Sequence, residues 1–595
     1  MAPQAASADG LFDMLFGGNV KRKQRMEDFP APPKPRRVAA PKISGPSYYD
    51  YKAETLVRVD FRKLTDEPRV AGFQPALTGA AFQEGTAGLE GFDLFAEADI
   101  AKGLAGYYSE KPDFIWVSGY GPNGRAVEAL RVLGTADSYG LIPDEYAVTV
   151  PGASYSMDDT ASRLKELMRF EMTLSARVLR YVRDAQGGRI DPNKLSGYHD
   201  FPAKPVDYAN VLKTLGHTQE VRTYLESRHP QNPEYQALRV ELETLRASVE
   251  NAIVVDPKLL LKPGETSIEL PKILTLISRD LDDEMGGEFG EVLARLGKSD
   301  AYVDELVPVI QAKQKRLGLK DDGVIGPRTV SALAGNSKAD RVAKVTIALE
   351  QLRWLPSELG ATRVFINQPA FTATYSEGGV VKLETRTVIG KTSNQTSFFY
   401  DEIEQVDYNP YWGVPQSIIV NEMLPRLRRD PGYLDRAGYE VTDAKGRRIS
   451  SSSIDWGAYG AKVPYNVRQT PSEANALGEL KILFPNKHAI YMHDTPSKEL
   501  FKRDSRAFSH GCVRLQDPRG MAAAVLGTSV DYVAQKLKQG HSSEKVTRKI
   551  PVYVAYFTAW PNASGEVEYF GDVYDRDARL KTAIEKTDQA RAASS

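Results

Sequence analysis

The chain has 595 residues, 42% hydrophobic and 26% charged, with 77 Lys and Arg against 78 Asp and Glu. That length accommodates about three to five domains, each able to bury its own core. A net charge of -1 excludes a strongly basic nucleic-acid binder, and the longest charge-free stretch, 550–565, is shorter than the about 18 apolar residues a membrane-spanning helix needs.

The one cysteine, Cys512, excludes an internal disulfide, a Cys-ligated zinc site and an iron–sulfur cluster. Seven histidines are too sparse for a His-rich metal tract, and no H-E-x-x-H occurs.

Residues 1–85 are expected to be a disordered, Pro-rich tail. Six prolines fall between Pro30 and Pro46 among Lys34, Arg36, Arg37 and Lys42, a composition with too little apolar surface to offset chain entropy. The first residues lack the charged and apolar regions of a signal peptide, yet Ala5, Ala6, Ser7 and Ala8 resemble the stretch behind a cleavage site. This start reads either as the residue run behind a trimmed export signal or as a plain tail.

From 86 to 257 the pattern is that of a helical scaffold. Leu164, Leu167, Met168, Met172, Leu174 and Leu179 recur mostly at three- and four-residue spacings through 161–183, with Asp158 or Asp159 as N-cap and Gly187-Gly188 as the stop. A second long helix is expected over 233–252. No catalytic signature lies in this region.

The span 258–338 reads as a small helical module. One helix gives way at Asp321-Asp322-Gly323, and another starts with Pro327 at its first position and ends before Gly335. Asp322 and Gly323 do not open a calcium loop, because the remaining ligand positions are absent. The pattern Asp322-Gly323-x-x-Gly326-x-x-Thr329 resembles the three-helix peptidoglycan-binding domain of cell-wall enzymes.

A linking helix is expected over 339–355, after which the chain turns to strands. Runs at 363–367 and 371–375, a turn at Glu377-Gly378-Gly379, and an alternating run over 380–389 precede two much later runs, 551–558 and 566–570. The last two, joined by 562–565, read as a hairpin. The span 339–580 is expected to be one mostly β domain, with 581–595 a tail.

The thiol lies in Ser509-His510-Gly511-Cys512-Val513-Arg514. An acyl-transfer cysteine needs a base in reach, N–H groups aimed at the developing oxyanion, and a turn that exposes the sulfur. Gly511 permits such a turn. Two histidines are candidate bases, His510 two positions before the thiol and His493 further upstream.

His493-Asp494-Thr495-Pro496 with Ser509-His510-Gly511-Cys512-Val513-Arg514 resembles the signature of the YkuD-type L,D-transpeptidases. Asn409-Pro410-Tyr411-Trp412-Gly413-Val414-Pro415, together with Arg468-Gln469, Asn475-Ala476-Leu477-Gly478 and Phe484-Pro485-Asn486, resembles the large Gram-negative branch of that family. The resemblance implies a multidomain α+β protein: a helical scaffold, a small three-helix peptidoglycan-binding domain, and a mostly β YkuD-like catalytic domain carrying a lid insertion at about 417–474, a span too long for a simple connection.

It further implies Cys512 as nucleophile and His493 as general acid and base, with Gly511 and Cys512 supplying oxyanion N–H groups. Family histidines are oriented by a backbone carbonyl near the motif, which makes Ser509 and Asp494 candidates for that role. Arg514 would steady the thiolate or a substrate carboxylate, while Tyr491 and Trp412 either line the groove or are core aromatics. The implied partners are peptidoglycan stem peptides in the periplasm, a tetrapeptide donor and a diamino-acid amine acceptor, with carbapenem-type β-lactams as expected inhibitors of Cys512. The resemblance implies no metal or organic cofactor. Two other readings remain open: a cysteine hydrolase or anchoring enzyme using the same thiol, and a non-catalytic wall-binding scaffold.

Overall fold

A computed structural model describes residues 45–65, 77–248, 253, 255, 256, 258–334 and 337–592. The chain divides into two compact units, one containing Thr385–Asn394 and Ile403–Lys549, the other Pro46–Glu384, Gln395–Glu402 and Ile550–Ser595. The span 339–580 therefore contributes to both. Among the described residues no helix is long and apolar enough to cross a membrane.

The second unit begins inside the stretch expected to be a tail. Val57–Arg58 pairs with Phe95–Ala96, Leu77–Gly85 is helical, and Leu56, Phe61, Leu64 and Phe82 are buried. The expectation of disorder is corrected for 45–65 and 77–85, where these apolar residues give the chain something to bury; 1–44 and 66–76 lie outside the described residues.

The scaffold is organised around the helix Thr160–Gly187. Asp159 caps it, its Oδ1 accepting the N–H of Ser162 at 3.1 Å, and Gly188 ends it at φ +86°, a conformation glycine adopts without penalty. Leu164, Leu167, Met168, Met172, Leu174 and Leu179 are all buried, as their spacing predicts. The expected second helix is Pro233–Ala247 with Ser248 as its C-cap, and 249–252 lie outside the described residues.

Of the expected tail, 593–595 lie outside the described residues, and 581–592 belong to the helix Arg576–Ala592. Its sequence carries little apolar patterning, and charge holds it in place. Arg591 donates to both carboxylate oxygens of Asp184 at 2.7 and 2.9 Å and to Glu145 at 2.7 Å, all buried. Burial alone would raise the Asp184 carboxyl, but the Arg591 guanidinium holds it below its ordinary value. Charges this deep are tolerable only when paired.

Residues 258–334 have a core of their own, including Leu270, Ile273, Leu274, Ile277, Ile310, Ile325 and Val330. Its described residues form four α-helices rather than three: Leu270–Arg279, Asp283–Leu296, Val307–Arg316 and Pro327–Ala334. Asp282 splits the first two by accepting the N–H of Met285 at 2.8 Å. The Asp-Gly-x-x-Gly-x-x-Thr pattern builds a turn. Gln314 accepts the N–H of Gly323 at 2.9 Å and donates to the Val324 carbonyl and the Thr329 hydroxyl, and Asp322 accepts the N–H of Val324.

This unit also holds a sheet in the order Thr372–Glu377, Arg363–Asn367, Pro551–Ala555, Phe398–Glu402, His199–Asp200. Pro551–Ala555 runs parallel to Arg363–Asn367 and antiparallel to Phe398–Glu402, so it is not half of a hairpin with 566–570. The hairpin is Ala559–Pro561 with Val567–Tyr569, joined by the expected 562–565 turn. Val552, Val554 and Ala555 are wholly buried, which suits a central strand flanked on both sides.

In the other unit the strands run in the order Ser542–Lys545, Gln405–Tyr408, Leu480–Leu483, Met492–His493, Val513–Leu515, and then the 385–390 end of Val380–Gly390. All neighbours are antiparallel except Met492–His493 and Val513–Leu515, which are parallel. The expected insertion is a folded body. Trp412–Gly413, Asn466–Gln469, Tyr439–Thr442 and Arg448–Ile449 form a four-stranded antiparallel sheet, and Ile419, Met423, Leu424, Leu427, Leu434, Val441, Trp456 and Val467 close a core beneath it.

Candidate active site

The parallel strands Met492–His493 and Val513–Leu515 bring the histidine and the thiol to neighbouring positions. Met492 lies opposite Val513 and His493 opposite Arg514, and the N–H of Val513 donates to the Tyr491 carbonyl at 3.0 Å. On the next strand Lys481 lies opposite His493. Side chains alternate along a strand, so Ile482, Met492 and Val513 go into the core, where all three are wholly buried. Tyr491, His493, Cys512 and Arg514 share the opposite face, with Lys481 beside them. Lys481, His493 and Arg514 thus form one row across three strands, and Tyr491 and Cys512 form the row beside it.

His493 is buried, and its Nδ1–H donates to the backbone carbonyl of Asp494 at 2.5 Å. That tautomer leaves the Nε2 lone pair available to accept a proton. Burial, and then the Arg514 and Lys481 cations on either side, push the imidazole down to about 3, so the ring is neutral at physiological pH. The Asp494 carboxylate does not take part: it accepts the N–H of Glu479 at 3.0 Å and pairs with Lys498. Gly478 approaches that carboxylate at φ +58°, too closely to leave room for a Cβ.

Cys512 is partly exposed, and burial raises its thiol above the ordinary range. Hydrogen bonds from the Tyr491 N–H and hydroxyl, and the charges of Lys481 and Arg514, act in the opposite direction. The Tyr491 phenol is itself pushed well up by burial and by the adjacent sulfur, which keeps it a donor, and it takes a hydrogen bond from Trp412. Tryptophan has a single donor, so a chain runs from Trp412 Nε1 to Tyr491 Oη to Cys512 Sγ. The thiol hydrogen points to the Ala489 carbonyl, 3.6 Å away. Ala489 holds φ +54°, a strained value for a residue with a Cβ. The resting pair is therefore a neutral thiol and a neutral imidazole.

Ser509 braces the turn: its hydroxyl donates to the Cys512 carbonyl at 2.6 Å and accepts the N–H of Gly511 at 3.1 Å. It does not meet His493 Nδ1. Gly511 sits at φ +119°, open only to glycine at low cost. Arg514 is half-buried, and among the described residues its Nε has no hydrogen-bond partner, which suits a group awaiting an anion. His510 turns away from the thiol: its Nε2 lies 2.6 Å from Glu422 and 3.2 Å from Lys391.

The sequence-predicted residues Cys512, His493, Arg514, Tyr491 and Trp412 come together, with Ser509, Gly511 and Asp494 supporting them through backbone and turn. Lys481 was not foreseen. Its Nζ lies 4.4 Å from the centre of the Tyr491 ring, but within its own strand nothing distinguishes it from an ordinary outward lysine. Only the pairing register places it beside His493. Glu422, within the insertion, was also missed.

Residues 361–548 match the family model of the L,D-transpeptidase catalytic domain, YkuD, and residues 102–242 match that of a scaffold domain. A Haemophilus influenzae protein named a putative L,D-transpeptidase is 32% identical over 245 residues, which is 40% of this chain and 49% of that protein. The chain thus spans about half the length of the curated relative it matches. The similarity runs along the chain from a scaffold-like region to one like an L,D-transpeptidase catalytic domain.

Proposed function

We propose that this protein is a periplasmic peptidoglycan L,D-transpeptidase that forms 3→3 cross-links through a thioester on Cys512. The observation that carries the reading is the shared face: a neutral imidazole oriented by the Asp494 carbonyl, next to a thiol that accepts two hydrogen bonds from Tyr491. A cysteine kept only as a core hydrophobe has no use for these donors or for two flanking cations.

In this mechanism the Cys512 sulfur attacks the carbonyl carbon between the third stem residue and the terminal D-Ala, and His493 Nε2 takes the thiol proton. The tetrahedral oxygen is held by the N–H groups of Cys512 and Gly511, the latter turning from the Ser509 hydroxyl. The C–N bond breaks, His493 returns the proton to the departing D-Ala amine, and a thioester remains. His493 then removes a proton from the side-chain amine of a neighbouring stem. That amine attacks the thioester, the C–S bond breaks, and the proton on His493 goes back to the sulfur. Arg514 and Lys481 offer positive charge to a stem carboxylate. Residues 258–338 hold the enzyme to the wall, with Leu260 and Ile268 exposed as apolar surface for sugar faces. Carbapenem-type β-lactams acylate the same thiol.

Incubation with tetrapeptide-bearing muropeptides tests the reading. Dimers with a 3→3 bond support it. Tripeptide plus free D-Ala and no dimer would instead mark a hydrolase, and unchanged muropeptides a non-catalytic scaffold.

A further inference from the structure

The insertion reaches the thiol turn through one side chain. Glu422 lies in a π-helical turn, Ile419–Met423, at the start of the insertion. Pro425 comes soon after and has no N–H to donate to the carbonyl four residues back, so the chain widens there instead of continuing as an α-helix. Ile419, Val420, Met423 and Leu424 anchor the turn in the insertion's own core, leaving Glu422 on the outer side. Its Oε1 lies 2.6 Å from His510 Nε2, while Lys391 Nζ is 3.2 Å from the same nitrogen. One nitrogen serves one of these partners at a time. The shorter contact, with His510 donating to the carboxylate, leaves Lys391 as a neighbouring charge. Burial would raise the Glu422 carboxyl, but His510 and Lys391 together hold it below its ordinary value, so it stays ionised as an acceptor.

The other side of the turn is held by backbone. The N–H of Lys391 donates to the Ser509 carbonyl at 2.8 Å, and Ser509 pairs with Gly390 at the end of the neighbouring strand. His510 is thus held between Glu422 and a fixed Ser509, directly ahead of Gly511. This is the residue whose N–H must leave the Ser509 hydroxyl to meet an oxyanion.

We infer that Glu422 is a positioning residue for acyl transfer: through His510 it anchors the start of the thiol turn, from which the Gly511 N–H swings off the Ser509 hydroxyl to join the Cys512 N–H at the oxyanion, and it ties the insertion to the nucleophile. The inference rests on Cys512 being an acyl-accepting thiol, and it deepens that reading with a contact inside the insertion.

Acylation of Cys512 by p-nitrophenyl acetate, monitored by nitrophenolate release and intact mass, develops an oxyanion without requiring the peptide groove. It is measured for wild type, Glu422→Ala, Glu422→Gln, His510→Ala and the double Ala variant, beside kcat and KM for the tetrapeptide donor. Glu422→Ala is expected to slow acylation and kcat by about 10-fold, with KM within about 2-fold, the size of one lost charge-assisted hydrogen bond acting in the transition state. Glu422→Gln keeps an acceptor oxygen and restores most of the rate. The double variant is no slower than His510→Ala, because both remove one bond. If Glu422→Ala disrupts folding of the insertion, His510→Ala removes the same bond from the other side and must show the same loss. Wild-type acylation rates in both Ala variants, or losses that multiply in the double, overturn the inference. Wild type that accepts the ester but not the tetrapeptide refutes the proposed substrate and leaves the positioning role to be decided by the ester data.

Discussion

The Nδ1–H of His493 donates to the backbone carbonyl of Asp494 at 2.5 Å, while the Asp494 carboxylate is occupied by the N–H of Glu479 and by Lys498. The imidazole is thus oriented through the peptide between adjacent residues, and the neighbouring carboxylate is engaged elsewhere.

Asp494→Asn should accordingly lower kcat by less than about 10-fold, since an amide oxygen still accepts the Glu479 N–H. Where a carboxylate orients a catalytic histidine, the same change costs about 10⁴-fold. Steady-state kinetics with the tetrapeptide donor distinguish the two, and a loss near the larger figure would contradict the carbonyl assignment.

The pH profile is set by the neutral imidazole. With His493 pushed down to about 3, the base stays unprotonated far below the ordinary histidine value of 6.5. The acid limb of kcat/KM, which reports the free enzyme, is expected below about pH 5. An inflection near 6.5 would show that burial and the Arg514 and Lys481 cations do not act on His493 in this way.

Tyr491→Phe removes one hydrogen bond to the Cys512 sulfur, and Lys481→Met removes a nearby cation. Both interactions lower the thiol pKa, so each change should move the inflection of the iodoacetamide rate profile to higher pH. Tyr491→Phe should also slow acylation by about 10- to 100-fold, the range for a hydrogen bond to a charged atom. An unchanged profile in both variants would separate Cys512 from its predicted partners.

The charge cluster around Arg591 gives a prediction about stability. Arg591→Ala takes the guanidinium away from the buried Asp184 carboxylate, which keeps the Tyr146 hydroxyl, while Glu145 keeps Arg189, and it should destabilise their unit by about 3–5 kcal/mol. Asp184 has a lowered folded pKa, so the stability it contributes is present above the usual carboxylate range and lost as pH falls through the folded value. The variant should lose that part of the acid sensitivity. Hydrogen exchange in the Thr160–Gly187 helix measures both effects, and a change below about 1 kcal/mol would assign the cluster no net role.

Elements with a strong local period were legible in the sequence. The scaffold helix, its Asp159 cap and its glycine stop are dictated by spacing alone, as is the strand Arg363–Asn367. The exceptions share a cause, which is that their partners lie far along the chain. Pro551–Ala555 read as half a hairpin because a suitable turn and strand come after it, yet it is claimed by strands more than 140 residues earlier. The helix Arg576–Ala592 lacks an apolar stripe, so 581–595 read as a tail, because its anchors are ion pairs to residues such as Asp184. At the site, Cys512 and His493 were visible as a motif. Lys481 needed the strand register, and the contact between Glu422 and His510 needed the fold of the insertion. Ser509 was a candidate partner for His493 but braces the Cys512 carbonyl, a choice the spacing of residues leaves open.

The most direct measurement is the intact mass of wild type, Cys512→Ala and His493→Ala after mixing with a tetrapeptide stem. Wild type should gain the mass of the tripeptide-bearing fragment on Cys512 as D-Ala is released, and should pass it to an amine as a 3→3 dimer; neither variant should accumulate adduct or dimer at a comparable rate. Dimers formed by Cys512→Ala, or a wild-type thiol that stays unmodified while donor is consumed, would contradict a thioester on this cysteine.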